Sequence, residues 1–177
     1  IVESTQPVDL TLHLRIPGWC RAPSICINGT SQDPAPIAGT YAPLKRTWMP
    51  GDTINLSLPM PVERIEAHPN VTNNQGKVAL KRGPLMYCLE EIDHTDTVHS
   101  ITLPEDTDLE AEIASDLLGG ITVIRGKGQV PDSRSWNGQL YRPIDHTVRR
   151  PIDLTAIPYY AWNNRGKGHM TTWIHKD

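Results

Sequence analysis

Residues 10–16, with the sequence LTLHLRI, decide the fold class of this chain. Their leucines and final isoleucine alternate with threonine, histidine and arginine, and this period of two predicts a β-strand with one buried face. The Pro17-Gly18 pair that follows is typical of a strand end. Short runs of similar character recur at residues 25–28, 41–48, 53–58, 62–67, 77–80, 85–89, 121–124, 147–154, 156–162 and 169–175.

These runs predict an all-β chain with little or no helix, because many short strands at this spacing are typical of sandwiches and barrels. The Asn28-Gly29 pair predicts a two-residue hairpin turn. Residues 109–118 are the one helix-compatible window, and a loop plus a strand that lead to residues 121–124 are the alternative interpretation of it.

The turn-rich residues 68–76, with the sequence HPNVTNNQG, form the best candidate for a domain boundary. We therefore expect two β-sandwich domains of the jelly-roll or immunoglobulin-like type, at residues 1–68 and 69–177. The first supplies only four or five strands, whereas a free-standing sandwich usually has about seven. Either it shares a core with the second half or strands upstream of Ile1 are missing. The start at Ile1 without a methionine favours a fragment.

Composition excludes several classes of partner. The chain has 177 residues, 17 basic and 20 acidic side chains, and a formal net charge of −3. General nucleic-acid binders and binders of anionic membranes rely on clustered lysine and arginine, so neither partner is expected. No run approaches the roughly 20 apolar residues of a membrane-spanning helix.

The three cysteines predict the redox compartment. Cys20, Cys26 and Cys88 each lie in or beside an apolar stretch, and none belongs to a C-x-x-C pair. Isolated cysteines of this kind commonly behave as small core residues. Buried thiols suit a reducing compartment, so a cytoplasmic location is favoured over a periplasmic or secreted one.

The usual catalytic patterns are weak. Glu90 and Glu91 are adjacent, so on a strand they point to opposite faces and cannot act together on one glycoside. His94 and His99 lie among acidic residues, where a surface metal site is conceivable but a solvated polar loop is the preferred interpretation. The sequence therefore predicts no catalytic, cofactor-binding or metal-binding residue.

Aromatic side chains are the remaining candidates for binding. Tryptophan and tyrosine stack on sugars, but in a chain without phenylalanine they must also fill the core or cover domain interfaces. Packing is the preferred role for most of them. Trp136 and Tyr141, in the loop-like residues 131–143, are the candidate carbohydrate contacts.

Longer strings carry a family resemblance. Residues 12–20, LHLRIPGWC, resemble the L-x-L-R-I-P-x-W strand of the bacterial β-L-arabinofuranosidases of glycoside hydrolase family 127. Further matches follow in order at Asn28-Gly29, at Arg46-Thr47-Trp48, at residues 77–90 (KVALKRGPLMYCLE) and at residues 157–166 (IPYYAWNNRG).

The resemblance implies a parent with an N-terminal (α/α)6 barrel followed by two β-sandwiches. In that family a cysteine nucleophile in a zinc site and an acid/base glutamate, all within the barrel, perform a retaining hydrolysis. Cys20, Cys26 and Cys88 are isolated and match none of these positions, so no catalytic or zinc residue carries over. Zinc is expected only in the absent barrel.

The sequence thus predicts a non-catalytic C-terminal accessory region whose main partner is that barrel. Two alternatives stay open: a carbohydrate-binding module, whose partner is a glycan, and an oligomerisation or interaction sandwich, whose partner is a second copy in a homodimer.

Overall fold

The computed structural model describes residues 1–143 and 148–177. Within these residues the chain has fourteen β-strands, five short 3₁₀ helices and no α-helix, which confirms the all-β prediction. The 3₁₀ helices are Thr72–Asn74, Glu91–Asp93, Val98–Ser100, Ser133–Trp136 and Tyr159–Ala161. The chain divides into two compact units, Ile1–Met60 and Pro61–Asp177.

Unit 1 contains five strands: β1 (Val8–Arg15), β2 (Ser24–Ile27), β3 (Thr30–Ser31), β4 (Tyr41–Trp48) and β5 (Ile54–Ser57). β1 and β4 form an antiparallel two-stranded sheet in which Leu12 lies opposite Leu44. β3, β2 and β5 form a second antiparallel sheet, with β2 in the centre. The alternating leucines at residues 10–16 thus lie mainly in a strand, as predicted.

One hydrophobic core is shared by the two sheets of unit 1. Ile25 and Ile27 from β2 pack with Leu44 and the fully buried Trp48 from β4. The indole Nε1 of Trp48 donates a hydrogen bond to the carbonyl of Leu10 across β1, 3.3 Å away. A buried tryptophan usually finds such a partner, because its N–H is costly to leave unpaired.

Asn28 and Gly29 form the predicted hairpin turn between β2 and β3. Both have positive φ, 50° and 81°, as a two-residue turn of this type requires. The Asn28 Nδ2 donates to Asp52 Oδ1 at 2.7 Å, and its Oδ1 accepts the Thr53 N–H at 2.8 Å. The turn is therefore tied by its side chain to the loop before β5.

Unit 2 contains nine strands: β6 (Val62–Ile65), β7 (Lys77–Arg82), β8 (Leu85–Glu90), β9 (Thr102–Leu103), β10 (Glu110–Ala114), β11 (Ile121–Pro131), β12 (Arg149–Pro158), β13 (Met170–Thr171) and β14 (Trp173–Lys176). Pairing runs in the order β8-β12-β11-β9-β14-β7, and the β7–β8 hairpin joins its two ends. Six strands therefore form a closed ring, to which β6, β10 and β13 add outside. Among the described pairings only β9–β14 is parallel.

The core of unit 2 is built from aliphatic side chains on the ring strands. Its members include Leu80, Leu89, Ile124, Leu154 and Ile174, all nearly inaccessible to solvent. Two glycines in β11 allow neighbouring segments to pack close to the backbone of that strand. A Cβ at Gly126 would lie 2.7 Å from Leu109 Cδ2, and one at Gly128 would lie 3.1 Å from Ile101 Cγ2. The segments before and after β9 therefore pack directly on the backbone of β11.

Two details differ from the sequence prediction. The units meet at Met60 and Pro61, not at residue 68, because β6 pairs with β7 and so belongs to unit 2. The helix-compatible window 109–118 contains no helix: it holds β10, paired with β11, followed by a turn at residues 115–118, so the part of the alternative interpretation that places a strand here is correct. The predicted strand at residues 147–154 begins at Thr147, which lies outside the described residues. Its residues 149–154 belong to β12, which continues to Pro158 and so includes the start of the strand predicted at residues 156–162.

Candidate functional site

A densely hydrogen-bonded polar group of unit 2 lies at the end of β8. Glu90, only 5% exposed, and Asp93 both accept hydrogen bonds from the guanidinium of Arg165. Arg165 Nη2 lies 2.5 Å from Glu90 Oε2, and Nη1 lies 2.7 Å from Asp93 Oδ1. The other Glu90 oxygen accepts the backbone N–H of Asn163 at 2.9 Å. We call Glu90, Asp93 and Arg165 the Arg165 cluster.

The Arg165 cluster fixes the segment 162–169 to the end of β8. The adjacent Glu91 adds two further bonds: its N–H donates to the His169 carbonyl at 2.9 Å, and its Oε2 accepts the His169 N–H at 3.0 Å. A Cβ at Gly168 would lie 3.2 Å from the Cβ of Glu91, so the segment also passes close to the strand end. Carboxylates at the end of one strand therefore hold a segment more than seventy residues later in the chain.

Electrostatics in this region favour structure over chemistry. Hydrogen bonding to Asp93 raises the pKa of Arg165 above its ordinary value, so the guanidinium stays charged. Burial, and then the nearby Glu90 carboxylate, raise the pKa of the Cys88 thiol to about 12. The thiolate is the nucleophilic form of cysteine, so Cys88 is inert at neutral pH. All four carboxylate oxygens of Glu90 and Asp93 accept hydrogen bonds from Arg165 or the backbone, an arrangement unlike a glycosidase acid with a free, protonated oxygen.

The histidines considered as metal ligands have other partners. His94 Nδ1 lies 2.7 Å from the Glu90 carbonyl, and its Nε2 accepts the Thr155 N–H at 3.3 Å. The His99 ring packs edge-on against His169, with ring centroids 5.9 Å apart. Within residues 1–143 and 148–177, no three histidine, cysteine or acidic side chains come together in a way that could hold a metal ion.

The cysteines are free thiols in separate places. Cys20 and Cys88 are buried, as expected, whereas Cys26 is half-buried and its Sγ lies 3.5 Å from Ser31 Oγ. A zinc site of clustered cysteines and a glutamate, as the family resemblance implies, does not fit these three residues.

The two candidate carbohydrate contacts, Trp136 and Tyr141, have different surroundings. The guanidinium of Arg142 covers the Trp136 ring, 4.3 Å from its centroid, and donates to the Ser135 carbonyl at 2.8 Å. Tyr141 is 91% exposed and has no ring contact within the described part of the chain. One face of the Trp136 ring is therefore already occupied, whereas the Tyr141 ring is open to solvent.

A different set of aromatic side chains is exposed directly after β12. Tyr159, Tyr160 and Trp162 lie on and after the fifth 3₁₀ helix, and Tyr160 is 64% exposed. The Tyr159 and Trp162 rings are 5.9 Å apart and inclined by 31°. We call these three residues the aromatic surface. Sequence reasoning noted them only as members of the general aromatic set; their signal was their position within the long 157–166 string.

The aromatic surface is held rigidly from below. Ala161 between its members is buried, and Asn164 Nδ2 donates to the Ala161 carbonyl at 3.1 Å. Asn163, which directly follows Trp162, donates its backbone N–H to the Glu90 carboxylate. The Arg165 cluster therefore positions three exposed rings at the end of a strand.

A groove of about 540 Å³ runs along β11 and is lined by Asp106, Asp108, Arg125, Lys127 and Asp153 among others. Lys127 pairs with Asp153 and Arg125 with Glu112, so its cations are already neutralised. Across the described residues, no helix has the length and apolar character needed to cross a bilayer.

Two family models match the chain, and they divide it where the structure does. Residues 1–60 match the middle domain of glycoside hydrolase family 127, described as Beta-L-arabinofuranosidase, and residues 62–175 match the C-terminal domain of the same family. Together the two matches cover two consecutive domains of one glycoside hydrolase family. The chain belongs to glycoside hydrolase family 127, which confirms the resemblance read from its strings.

Known relatives agree. The chain is 32% identical to a non-reducing end beta-L-arabinofuranosidase of Bifidobacterium longum over 166 residues, 89% of this chain and 24% of that protein. It matches the crystal structure of a beta-L-arabinofuranosidase from Geobacillus stearothermophilus with a TM-score of 0.89 and 47% identity, covering 99% of this chain and 28% of that one. A further beta-arabinofuranosidase structure of the family matches with a TM-score of 0.82 and 30% identity, over 99% of this chain and 29% of that one. The chain thus spans about a quarter of the length of these relatives.

Proposed function

We propose that this chain is the non-catalytic C-terminal region of a family 127 glycosidase and that it supports a catalytic (α/α)6 barrel. The parent would remove β-L-arabinofuranose from glycans by a retaining mechanism with a cysteine nucleophile and zinc in that barrel. The observation that carries the proposal is coverage: the chain matches the middle and C-terminal domains of relatives roughly four times its length.

The aromatic surface is the part of unit 2 that best suits contact with the barrel. Tyrosine and tryptophan are enriched at interfaces because they bury a large area and lose little side-chain entropy. Here the Arg165 cluster already holds the backbone beneath Tyr159, Tyr160 and Trp162, so little further ordering is needed on contact. Three neighbouring exposed aromatic rings are unusual on a surface that contacts only solvent.

The first experiment compares activity. The purified chain and its full-length parent are incubated with an arabinofuranoside that releases a chromophore, with and without added zinc. We expect turnover by the parent alone. Turnover by the purified chain would overturn the non-catalytic assignment, and replacement of Cys20, Cys26 and Cys88 by serine would then show whether a thiol is responsible.

The second experiment tests the contact in the parent. Tyr160→Ala and Trp162→Ala should weaken the association of the region with the barrel, seen as faster deuterium exchange in barrel peptides and a lower melting temperature of the parent. Tyr141→Ala is the matched control, because Tyr141 is equally aromatic and more exposed but lies outside the aromatic surface. Equal effects of all three variants would contradict the proposed contact.

Glycan binding is a second candidate function, and one observation favours it. Two neighbouring rings, Tyr159 and Trp162, are inclined by only 31°, and exposed rings of this kind can stack on sugars. Titration of the chain with arabinose-containing oligosaccharides would then quench Trp162 fluorescence, and Trp162→Ala would abolish the change. Sedimentation of the same samples distinguishes glycan binding from formation of a homodimer. In a homodimer the sedimentation coefficient would rise with protein concentration and would not change when sugar is added.

A further inference from the structure

The chain contains two Asn-Gly pairs, Asn28-Gly29 and Asn137-Gly138. The φ angles of the two pairs are nearly the same: 50° and 81° in the first pair, and 48° and 78° in the second. The sequence and the local backbone therefore do not distinguish them. Any difference in their chemistry must come from what surrounds the asparagine side chains.

The Asn28 side chain is fully engaged. Its amide nitrogen donates to the buried Asp52 carboxylate at 2.7 Å, and its oxygen accepts from the Thr53 N–H at 2.8 Å and from the Thr53 hydroxyl at 3.3 Å. This turn also lies between two paired strands, Ser24–Ile27 and Thr30–Ser31. Rotating the side chain toward its own backbone would break these bonds.

The Asn137 side chain is exposed and, within the described residues, makes no hydrogen bond. It follows the 3₁₀ helix Ser133–Trp136, and its turn is closed by a single backbone bond, from the Gln139 N–H to the Trp136 carbonyl at 2.8 Å. No strand pairing restrains Gly138, which is itself exposed and has open space around its Cα.

We propose that Asn137 is a site of spontaneous deamidation and that Asn28 is protected from it. The Gly138 backbone nitrogen loses its proton to solvent base and attacks Cγ of Asn137. The new C–N bond closes a five-membered succinimide; the Cγ–Nδ2 bond breaks, and the departing nitrogen takes up a proton from solvent and leaves as ammonia. Water then opens the ring, at Cγ to give aspartate or at the main-chain carbonyl to give isoaspartate. The substrate is the chain itself, and water is the only co-reactant.

The modification has a local consequence that is independent of the proposed function. It adds a negative charge to a chain of formal net charge −3, directly after the Trp136 ring that Arg142 covers. The isoaspartate product also inserts an additional backbone atom into a turn closed by one hydrogen bond. We expect both effects to weaken the Trp136–Arg142 contact.

The test measures both asparagines in the same molecule. The chain is incubated at mildly alkaline pH, sampled over several weeks and digested with trypsin. Mass spectrometry follows conversion of amide to acid in the peptide of residues 22–45, which holds Asn28, and that of residues 135–149, which holds Asn137. We expect Asn137 to react at least about tenfold faster, because a hydrogen bond to a charged group suppresses the reactive rotamer of Asn28 by about that factor.

Two controls keep the result interpretable. In concentrated urea the two rates should converge, since both asparagines are then followed by glycine in an unfolded chain. Asp52→Ala should raise the rate at Asn28 and leave the rate at Asn137 unchanged; if it unfolds unit 1, the urea comparison still decides. Equal rates in the folded chain, faster reaction at Asn28, or a ratio that persists in urea would each overturn the proposal.

Discussion

Replacing Arg165 by methionine tests whether the Arg165 cluster is a structural support of unit 2. The variant keeps most of the side-chain volume but removes the charge and the three hydrogen bonds that Arg165 donates to Glu90 and Asp93. Both carboxylates would then remain at the end of β8 without their cation. The effect therefore combines lost bonds with uncompensated buried charge.

The expected magnitude follows from burial. The side chains of Arg165, Glu90 and Asp93 are 14%, 6% and 16% exposed. Removing one partner of a buried ion pair costs about 3–5 kcal/mol, whereas exposed pairs contribute about 0–1 kcal/mol. Because a domain has a total stability of about 5–15 kcal/mol, Arg165→Met should remove a large fraction of the free energy of unfolding of unit 2.

The assay must report on unit 2 alone. Urea unfolding is followed by deuterium exchange in peptides of β8 and β12, and by tryptophan fluorescence of the whole chain. A loss of 3–5 kcal/mol lowers the midpoint of unit 2 by at least about 1 M urea. Peptides of unit 1 provide an internal reference within each sample.

Lys127→Met is the matched control, since it removes a cation from the Lys127–Asp153 pair, whose side chains are 72% and 87% exposed. It should cost no more than about 1 kcal/mol. The triple change of Arg165→Met with Glu90→Gln and Asp93→Asn should recover part of the loss, because no unpaired charge remains. If Arg165→Met alone costs as little as the control, the Arg165 cluster does not support unit 2.

Three further predictions concern other parts of the chain. Under native conditions a thiol reagent should label the half-buried Cys26 first and leave Cys88 unreacted until the chain unfolds, because burial raises the Cys88 pKa to about 12. Mass spectrometry of the digested chain identifies the labelled cysteine, and early labelling of Cys88 would contradict the prediction. Gly126→Ala should destabilise unit 2 by about 1–3 kcal/mol in urea titrations, since the added Cβ would lie 2.7 Å from the Cδ2 of Leu109, which packs over β11. Gly18→Ala is the control and should cost less than about 1 kcal/mol, because the nearest atom to its added Cβ is 3.9 Å away. The hydrogen bond from Asn28 lowers the pKa of Asp52 below its ordinary value of 3.8. The ionised Asp52 therefore stabilises unit 1 above pH 3.8, and this stabilisation is lost as the pH falls through the lower pKa of the folded state. Asp52→Asn should make the stability of unit 1 depend less steeply on pH in the acid range, and an unchanged pH dependence would refute the assignment.

Local patterns in the sequence predicted local structure well. The alternation at residues 10–16 predicted β1, and Asn28-Gly29 predicted the hairpin between β2 and β3. Both signals depend only on neighbouring residues, through the period of side-chain direction in a strand and the positive φ that a tight turn requires. The family strings extended this success to the whole chain.

Features that depend on distant partners were not predicted. Residues 62–67 were recognised as a strand, but their partner is β7, which moves the boundary to Met60 and Pro61. Nothing in the local pattern of β6 states which strand it will pair with. The closed ring of unit 2 is a similar case, because it depends on the pairing of β14 with both β7 and β9.

The candidate binding residues show the same limit. Trp136 was a reasonable candidate from its loop position, but Arg142, six residues later, covers its ring. The exposure of Tyr160 depends on the buried Ala161 and on Asn163 bonding to Glu90, a residue of another strand. Sequence alone assigns residue types to loops and strands, whereas exposure is decided by tertiary contacts.

The place of β14 in the ring has a consequence for how unit 2 acquires its structure during synthesis. β14 is the last strand that the structure describes, yet it lies between β7 and β9, strands that begin at Lys77 and Thr102 and are therefore made roughly 70 to 100 residues earlier. Until residues 173–176 have been added, the growing chain exposes unpaired edges on both of these strands, and such edges are prone to intermolecular pairing. The pairing of the two ends of unit 2 is also a non-local contact, a kind that forms slowly. Cooperative folding of unit 2 therefore has to wait for residues 173–176, and termination of synthesis before residue 173 should yield an aggregation-prone product instead of a slightly shortened domain.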